Sequence, residues 1–177
     1  MTSDIDKILD AVLDREGWPT YAVHPNDRGG PTKGGITLRT LESWRHRRCT
    51  RAELQRLTKD EALEILRRRY VETNGIDKLT DRSLQAQVID DAVLSGPVLA
   101  VKDLQRTLDT VSVDGIIGPQ TLAAVDTYNG ITNPHPAALC RRLAVTRTLR
   151  LTRHVQQHPD QLVFLTGWVT RTLAFVA

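Results

Sequence analysis

The residues of this chain best placed to do chemistry lie between Glu16 and Thr37, in the run E-G-W-P-T-Y-A-V-H-P-N-D-R-G-G-P-T-K-G-G-I-T. Glu16 closes a stretch of apolar residues at helical spacing. Asp27 follows in a segment rich in Gly and Pro, and Thr32 and Thr37 flank the pair Gly34-Gly35. Cleavage of a glycosidic bond needs a carboxylic acid that keeps its proton near neutral pH and delivers it to the leaving oxygen. Apolar cover and the C-terminal end of a helix dipole both favour the protonated form of a carboxyl group. Glu16 holds such a position, and Trp18 and Tyr21 offer apolar cover and a face for sugar stacking. The plainer alternative is a surface acid before a Gly turn. A second carboxylate must hold the attacking water or stabilise the oxocarbenium-like transition state. Asp27 is the candidate, its alternative being an Asx-turn residue before Gly29-Gly30. The hydroxyls of Thr32 and Thr37 suit a water or a sugar, although Thr37 is also well placed to cap a helix.

These residues need elements to hold them. Ile5, Ile8, Leu9, Val12 and Leu13 recur at helical spacing, which predicts a helix over 3–15 with Ser3 as its cap and Gly17 and Pro19 as its stop. Residues 17–36 contain five of the eleven glycines and three of the eight prolines. They read as a long loop with a short hairpin around Ile36, and loops of that length within compact domains are usually functional. Helices are expected from Thr37 through Arg47, over 51–56 behind Thr50, and from Thr58 through about Val71. Thr58 and Glu61 form a capping-box pair. Asn74-Gly75 reads as a turn. Further helices are expected over Asp81–Leu94, Pro97–Leu108, Gln120–Tyr128, Pro136–Gln156 and Asp160–Val176, with a tight turn at Asp114–Pro119. The fold class is therefore mostly α, with one loop-rich insert near the front.

Composition narrows the function classes. The chain has 177 residues, 40% of them hydrophobic, 25% charged and 5% aromatic, with a formal net charge of +3. That describes a globular protein with a mainly aliphatic core and a mild preference for anionic partners. Arg and Lys are spread over several helices, and no strand-borne phosphate loop or G-x-S-x-G elbow is present. Nucleic-acid binding is not expected. Arg45–Arg48 and Arg67–Arg69 read as solvated helix faces. Cys49 and Cys140 are better read as two inert thiols than as a disulfide, and no Cys/His spacing implies a metal site. No apolar run has the length of a membrane span, and the first residues lack a secretory apolar region.

The ordered motifs resemble those of the N-acetylmuramidases of glycosyl hydrolase family 108. That family opens with a signature similar to E-G-G-Y followed by D-x-G-G-x-T-x-x-G-I-T. Here stand Glu16-Gly17-Trp18 and Asp27-Arg28-Gly29-Gly30-Pro31-Thr32-Lys33-Gly34-Gly35-Ile36-Thr37. Later landmarks resemble D-x-A-V-N-x-G in Asp90–Gly96, an L-Q pair in Leu104-Gln105, D-G-x-x-G-P-x-T in Asp114–Thr121, and F-x-x-G-W-x-x-R in Phe164–Arg171. Trp18 departs from the second Gly of the signature, Leu94 from the Asn, and the stretch from Glu16 to Asp27 is longer than the family's. The Asp114–Thr121 turn is either a peptidoglycan-binding signature or a structural turn between helices.

The resemblance implies a lysozyme-like catalytic region over 1–95 and a peptidoglycan-binding-like helical segment over 96–177, packed into the same domain. It implies Glu16 as catalytic acid with Asp27 and Thr32 as its partners, and no metal or cofactor. The expected substrate contacts are Trp18, Tyr21, Thr37, Asp90 and Trp168. The expected activity is hydrolysis of the β-1,4 bond between N-acetylmuramic acid and N-acetylglucosamine in bacterial peptidoglycan. The alternatives are a lytic transglycosylase, or a non-catalytic wall-binding or virion protein that keeps the fold. The expected setting is that of a phage endolysin: a monomer held in the host cytoplasm, released with the help of a holin, then acting in the periplasm or cell wall.

Overall fold

The computed structural model describes residues 4–23, 30–132 and 137–176, and the chain divides into two compact units, 1–72 and 73–177. The first unit begins with α1 (Asp4–Arg15), which turns Leu9, Val12 and Leu13 into the core. Three two-residue strands follow, β1 (Tyr21–Ala22), β2 (Thr32–Lys33) and β3 (Ile36–Thr37). They form an antiparallel sheet in that order, with Tyr21 opposite Lys33, Ala22 opposite Thr32, and Thr32 opposite Thr37. Helices α2 (Leu38–Arg45), α3 (Arg51–Gln55) and α4 (Lys59–Leu66) complete the unit, and a π turn (Arg67–Glu72) ends it. Leu9, Val12, Leu13, Ile36, Leu41, Leu54, Leu57, Ile65 and Leu66 form the core, each contributing about 1.5–3 kcal/mol by leaving water.

Three threonines open the helices of this unit. Thr37, Thr50 and Thr58 are extended, and each hydroxyl accepts from the backbone N–H three residues on. At Thr50 the capping box closes, with the Glu53 carboxylate returning to the Thr50 N–H. At Thr58 it does not. The Glu61 carboxylate instead accepts two hydrogen bonds from Arg45, at 2.9 and 2.8 Å. A bidentate guanidinium outcompetes a single backbone N–H for one carboxylate. Helix α2 stops at Arg45 rather than Arg47, because His46 takes a left-handed conformation (φ 53°). The basic runs are largely neutralised within the unit. Arg47 pairs with Glu53, Arg67 with Asp6, and Arg68 with both Glu64 and Glu72. Lys59 reaches Asp10 at 2.6 Å, so two ion pairs tie α4 and its π extension to α1.

The second unit is built on α5 (Arg82–Ser95), α6 (Pro97–Leu108), α7 (Pro119–Thr127), α8 (Ala137–Gln157) and α9 (Leu162–Leu173). Short turns of 3-10 or π type stand at Ile76–Lys78, Tyr128–Thr132 and Pro159–Gln161. Asp81 caps α5, and Gly96-Pro97 separates α5 from α6. Beneath these helices lies a buried ionic network. Arg147, with no exposed side-chain surface, donates to Asp90 at 3.0 Å and lies 3.1 Å from Asp91. Arg171 donates to Asp90 at 2.8 Å. Arg150 donates to both oxygens of Asp91 at 2.8 Å and to Asp103 at 2.5 Å. Burial pushes the Asp103 carboxyl above its ordinary range, against the opposing pull of Arg150. Both cysteines are buried and free, and burial pushes the Cys140 thiol up to about 11, which keeps it protonated and unreactive.

Removing one cation from such a network strands a buried carboxylate. Arg147→Met should lower the stability of the second unit by about 3–5 kcal/mol, read by denaturant unfolding. In the first unit, hydrogen bonds from Arg47 and the Thr50 backbone hold Glu53 down at about 2, from an ordinary value of 4.5. A carboxyl depressed on folding stabilises above its unfolded value and loses that contribution as pH falls toward its folded one. The stability difference between the wild type and Glu53→Gln should be constant above about pH 5 and shrink between 4.5 and 2. Unfolding curves measured across that range check it.

Candidate active site

Helix α1 ends in a Schellman motif with Glu16 as its C-cap residue. Gly17, at φ 77°, donates to the carbonyl of Asp14 at 3.0 Å, and Trp18 donates to that of Leu13 at 3.0 Å. Glycine is favoured at position 17 because the left-handed conformation penalises a Cβ. The Trp18-Pro19 peptide is cis, and Thr20 closes the turn onto the Gly17 carbonyl at 2.8 Å. Glu16 is half-buried at this helix end.

The second wall is the β2–β3 hairpin. Gly34 and Gly35 both have positive φ (55° and 76°), which makes a two-residue turn of the type that suits strand twist. The turn lies directly against the end of α1. A Cβ at Gly35 would sit 3.1 Å from Glu16 Cγ and 3.3 Å from Glu16 Oε2. One at Gly34 would sit 2.5 Å from Trp18 Cε3 and 3.3 Å from Leu13 Cδ2. The two glycines therefore supply the space that the Glu16 carboxyl and the Trp18 indole fill. Lys33 locks the hairpin in place. Its ammonium donates to the carbonyls of Gln55 (2.6 Å) and Leu57 (2.8 Å) and stands 4.9 Å from the centre of the Trp18 ring.

The sheet register sorts the remaining candidates. Thr32 lies in one cross-strand row with Ala22 and Thr37, while Tyr21 lies in the other with Lys33 and the buried Ile36. Thr32 and Thr37 thus share a face, and Tyr21 is on the opposite one. The Thr37 hydroxyl is engaged in capping, accepting from the Thr40 N–H at 3.0 Å and bonding the Thr40 hydroxyl at 2.9 Å. Trp18 is half-buried, with Lys33 over its ring, which narrows the face it can offer a sugar. Asp27 lies outside the described residues.

Asp90 and Trp168 belong to the second unit. Asp90 is fully buried and bound to Arg147 and Arg171, so its carboxylate is not presented to a sugar. Its role here is a structural ion pair. Trp168 is half-buried, stacked on Phe164 and near His154, and lines a cavity of about 280 Å³ with Leu94, Ser95, Leu99, Arg150 and Leu151. The Asp114–Thr121 turn is held by Gln105, whose amide donates to Asp114 (2.7 Å) and Thr121 (3.2 Å) and accepts from the Gly115 N–H (2.8 Å). Lys33, Gly34 and Gly35 carry neither a carboxylate nor a hydroxyl, so the chemistry of an acid and a bound water does not point to them. The adjacent glycine pair between two threonines is the signal that points to them. Among the described residues no group of three or more His, Cys, Asp or Glu side chains is placed to hold a metal ion.

Residues 9–96 match the family model described as Glycosyl hydrolase 108, and residues 99–173 match that described as Predicted Peptidoglycan domain. Among solved structures, SagA of Brucella abortus is similar over 97% of this chain and 95% of its own, at 32% identity and a TM-score of 0.75. No curated protein matches.

The geometry at the hairpin turn predicts that Gly35→Ala will be felt at Glu16. The strained φ and the 3.1 Å approach should cost about 1–3 kcal/mol of stability. Thermal unfolding of the variant measures this. The same approach requires the Glu16 side chain to give way by a few tenths of an ångström.

Proposed function

The chain belongs to the glycosyl hydrolase 108 family, and we propose that it is an N-acetylmuramidase with Glu16 as its general acid. The observation that carries this reading is the close approach of the Glu16 carboxyl to Gly35 at the turn of the hairpin bearing Thr32. An acid at the end of a helix, against a turn with no side chains of its own, is held close to one place. Glu16 protonates the glycosidic oxygen between N-acetylmuramic acid and N-acetylglucosamine. Asp27, together with Thr32, positions the water or stabilises the positive charge developing at the anomeric carbon. Thr37 contributes by fixing the start of α2 directly behind β3.

Peptidoglycan as the substrate is supported by the match of residues 99–173 to a peptidoglycan domain. The mild positive charge of the chain favours approach to an anionic wall. In this reading the protein is a lysis enzyme that works as a monomer and reaches the wall from the cytoplasm through a membrane-permeabilising partner.

Turbidity loss of purified peptidoglycan tests the assignment. Glu16→Gln keeps the shape of the side chain and removes the proton, so the rate should fall by about 10²–10⁴-fold. Released fragments should carry reducing muramic acid ends by mass analysis. Anhydro ends would instead assign the chain as a transglycosylase. An unchanged rate in Glu16→Gln would remove Glu16 from the mechanism.

A further inference from the structure

Helix α8 presents a face that neither the fold nor the proposed hydrolysis uses. It runs 21 residues from Ala137 to Gln157, about 30 Å, and contains no acidic residue. One side packs inward through Cys140, Leu143, Ala144, Arg147, Leu151 and Val155. The opposite side carries Arg141, Arg142, Val145, Leu149 and Arg153 at helical spacing, all exposed. Val145 and Leu149 are 59% and 50% accessible. Elsewhere the basic runs are met by carboxylates, as at Arg45, Arg47, Arg67 and Arg68. Among the described residues Arg141 and Arg153 have no carboxylate partner, and Arg142 leans on the Tyr128 ring at 5.5 Å.

We propose that this face of α8 docks on an anionic lipid surface. Guanidiniums on either side of two exposed aliphatic side chains match the two layers of a membrane interface, phosphate outside and acyl carbon just beneath. A purely polar polyanion would use the arginines but leave Val145 and Leu149 without a role. A second copy packed on this face through its own α8 would gather the Arg141, Arg142 and Arg153 side chains of both copies with no carboxylate from either α8. No helix among the described residues is long and apolar enough to cross a membrane, so the contact is peripheral. Its strength then comes from a few charges and a small apolar area, and the binding is reversible.

The test is co-sedimentation of the full chain with vesicles containing phosphatidylglycerol, compared with vesicles of phosphatidylcholine alone. Wild type should bind the anionic vesicles and not the neutral ones, and added salt should release it. Each guanidinium near such a surface contributes about fivefold, so Arg141→Gln with Arg153→Gln should weaken binding roughly 25-fold. Val145→Ser with Leu149→Ser should weaken it as well, at unchanged salt dependence. These positions are exposed, and an unchanged thermal midpoint confirms that the variants are folded. Several results would overturn the proposal. They are no binding to anionic vesicles, equal binding to neutral ones, binding insensitive to both double variants, or retention on soluble polyphosphate alone. A dimer in light scattering that Leu149→Asp dissociates would assign the face to self-association instead.

Discussion

Space at the end of α1 is the constraint on which the candidate site depends. A helix can aim its last side chain only if the chain beyond it leaves at once and whatever packs against it comes close without colliding. Gly17 meets the first requirement by turning left-handed directly after Glu16. Gly34 and Gly35 meet the second. With them the hairpin turn touches the helix end, and any Cβ there would fall within 3.1 Å of Glu16 or 2.5 Å of Trp18. Lys33 then fixes the hairpin from outside through two carbonyls, so the position of the acid follows from backbone geometry rather than from a flexible loop.

The second unit is held by a different principle. Its landmark residues pair with one another. Arg171 of the F-x-x-G-W-x-x-R stretch bonds Asp90 of the D-x-A-V stretch, and Gln105 of the L-Q pair bonds Asp114, Gly115 and Thr121 of the turn. Buried ion pairs of this kind contribute little net stability compared with apolar packing, but they penalise any arrangement that leaves a charge alone. Asp90, Asp91 and Asp103 meeting Arg147, Arg150 and Arg171 therefore select the mutual placement of α5, α6, α8 and α9.

Local signals in the sequence reach as far as local physics does. Thr37, Thr50, Thr58, Asp81 and Gly96-Pro97 mark helix ends because caps act within a few residues, and the helices begin there. The left-handed ends at His46 and Asp109 carry no glycine to announce them. Strands of two residues are too short for alternation to show, so the sheet reads as a loop with a hairpin around Ile36. The largest loss is at long range. A carboxylate at 90 looks available for a substrate until its partners, 57 and 81 residues further along the chain, are in place. The same holds for Glu61, whose capping partner nearby loses to Arg45, 16 residues away.

Trp18 is the departure that bears most directly on the candidate site. On sequence alone Trp18 is a departure from the second Gly of the signature that offers apolar cover and a face for sugar stacking. In the structure its backbone N–H completes the Schellman motif on Leu13, which is the position where an apolar contact back to the helix is favourable. Its ring occupies the space that Gly34 leaves empty, next to Leu13, and the Lys33 ammonium lies over it. The indole thus tightens the contact between helix end and hairpin without displacing Glu16, whose own room is provided one residue later by Gly35. A bulky residue at 18 is compatible with this placement of Glu16 as long as residue 34 has no side chain, which makes the two positions a coupled pair.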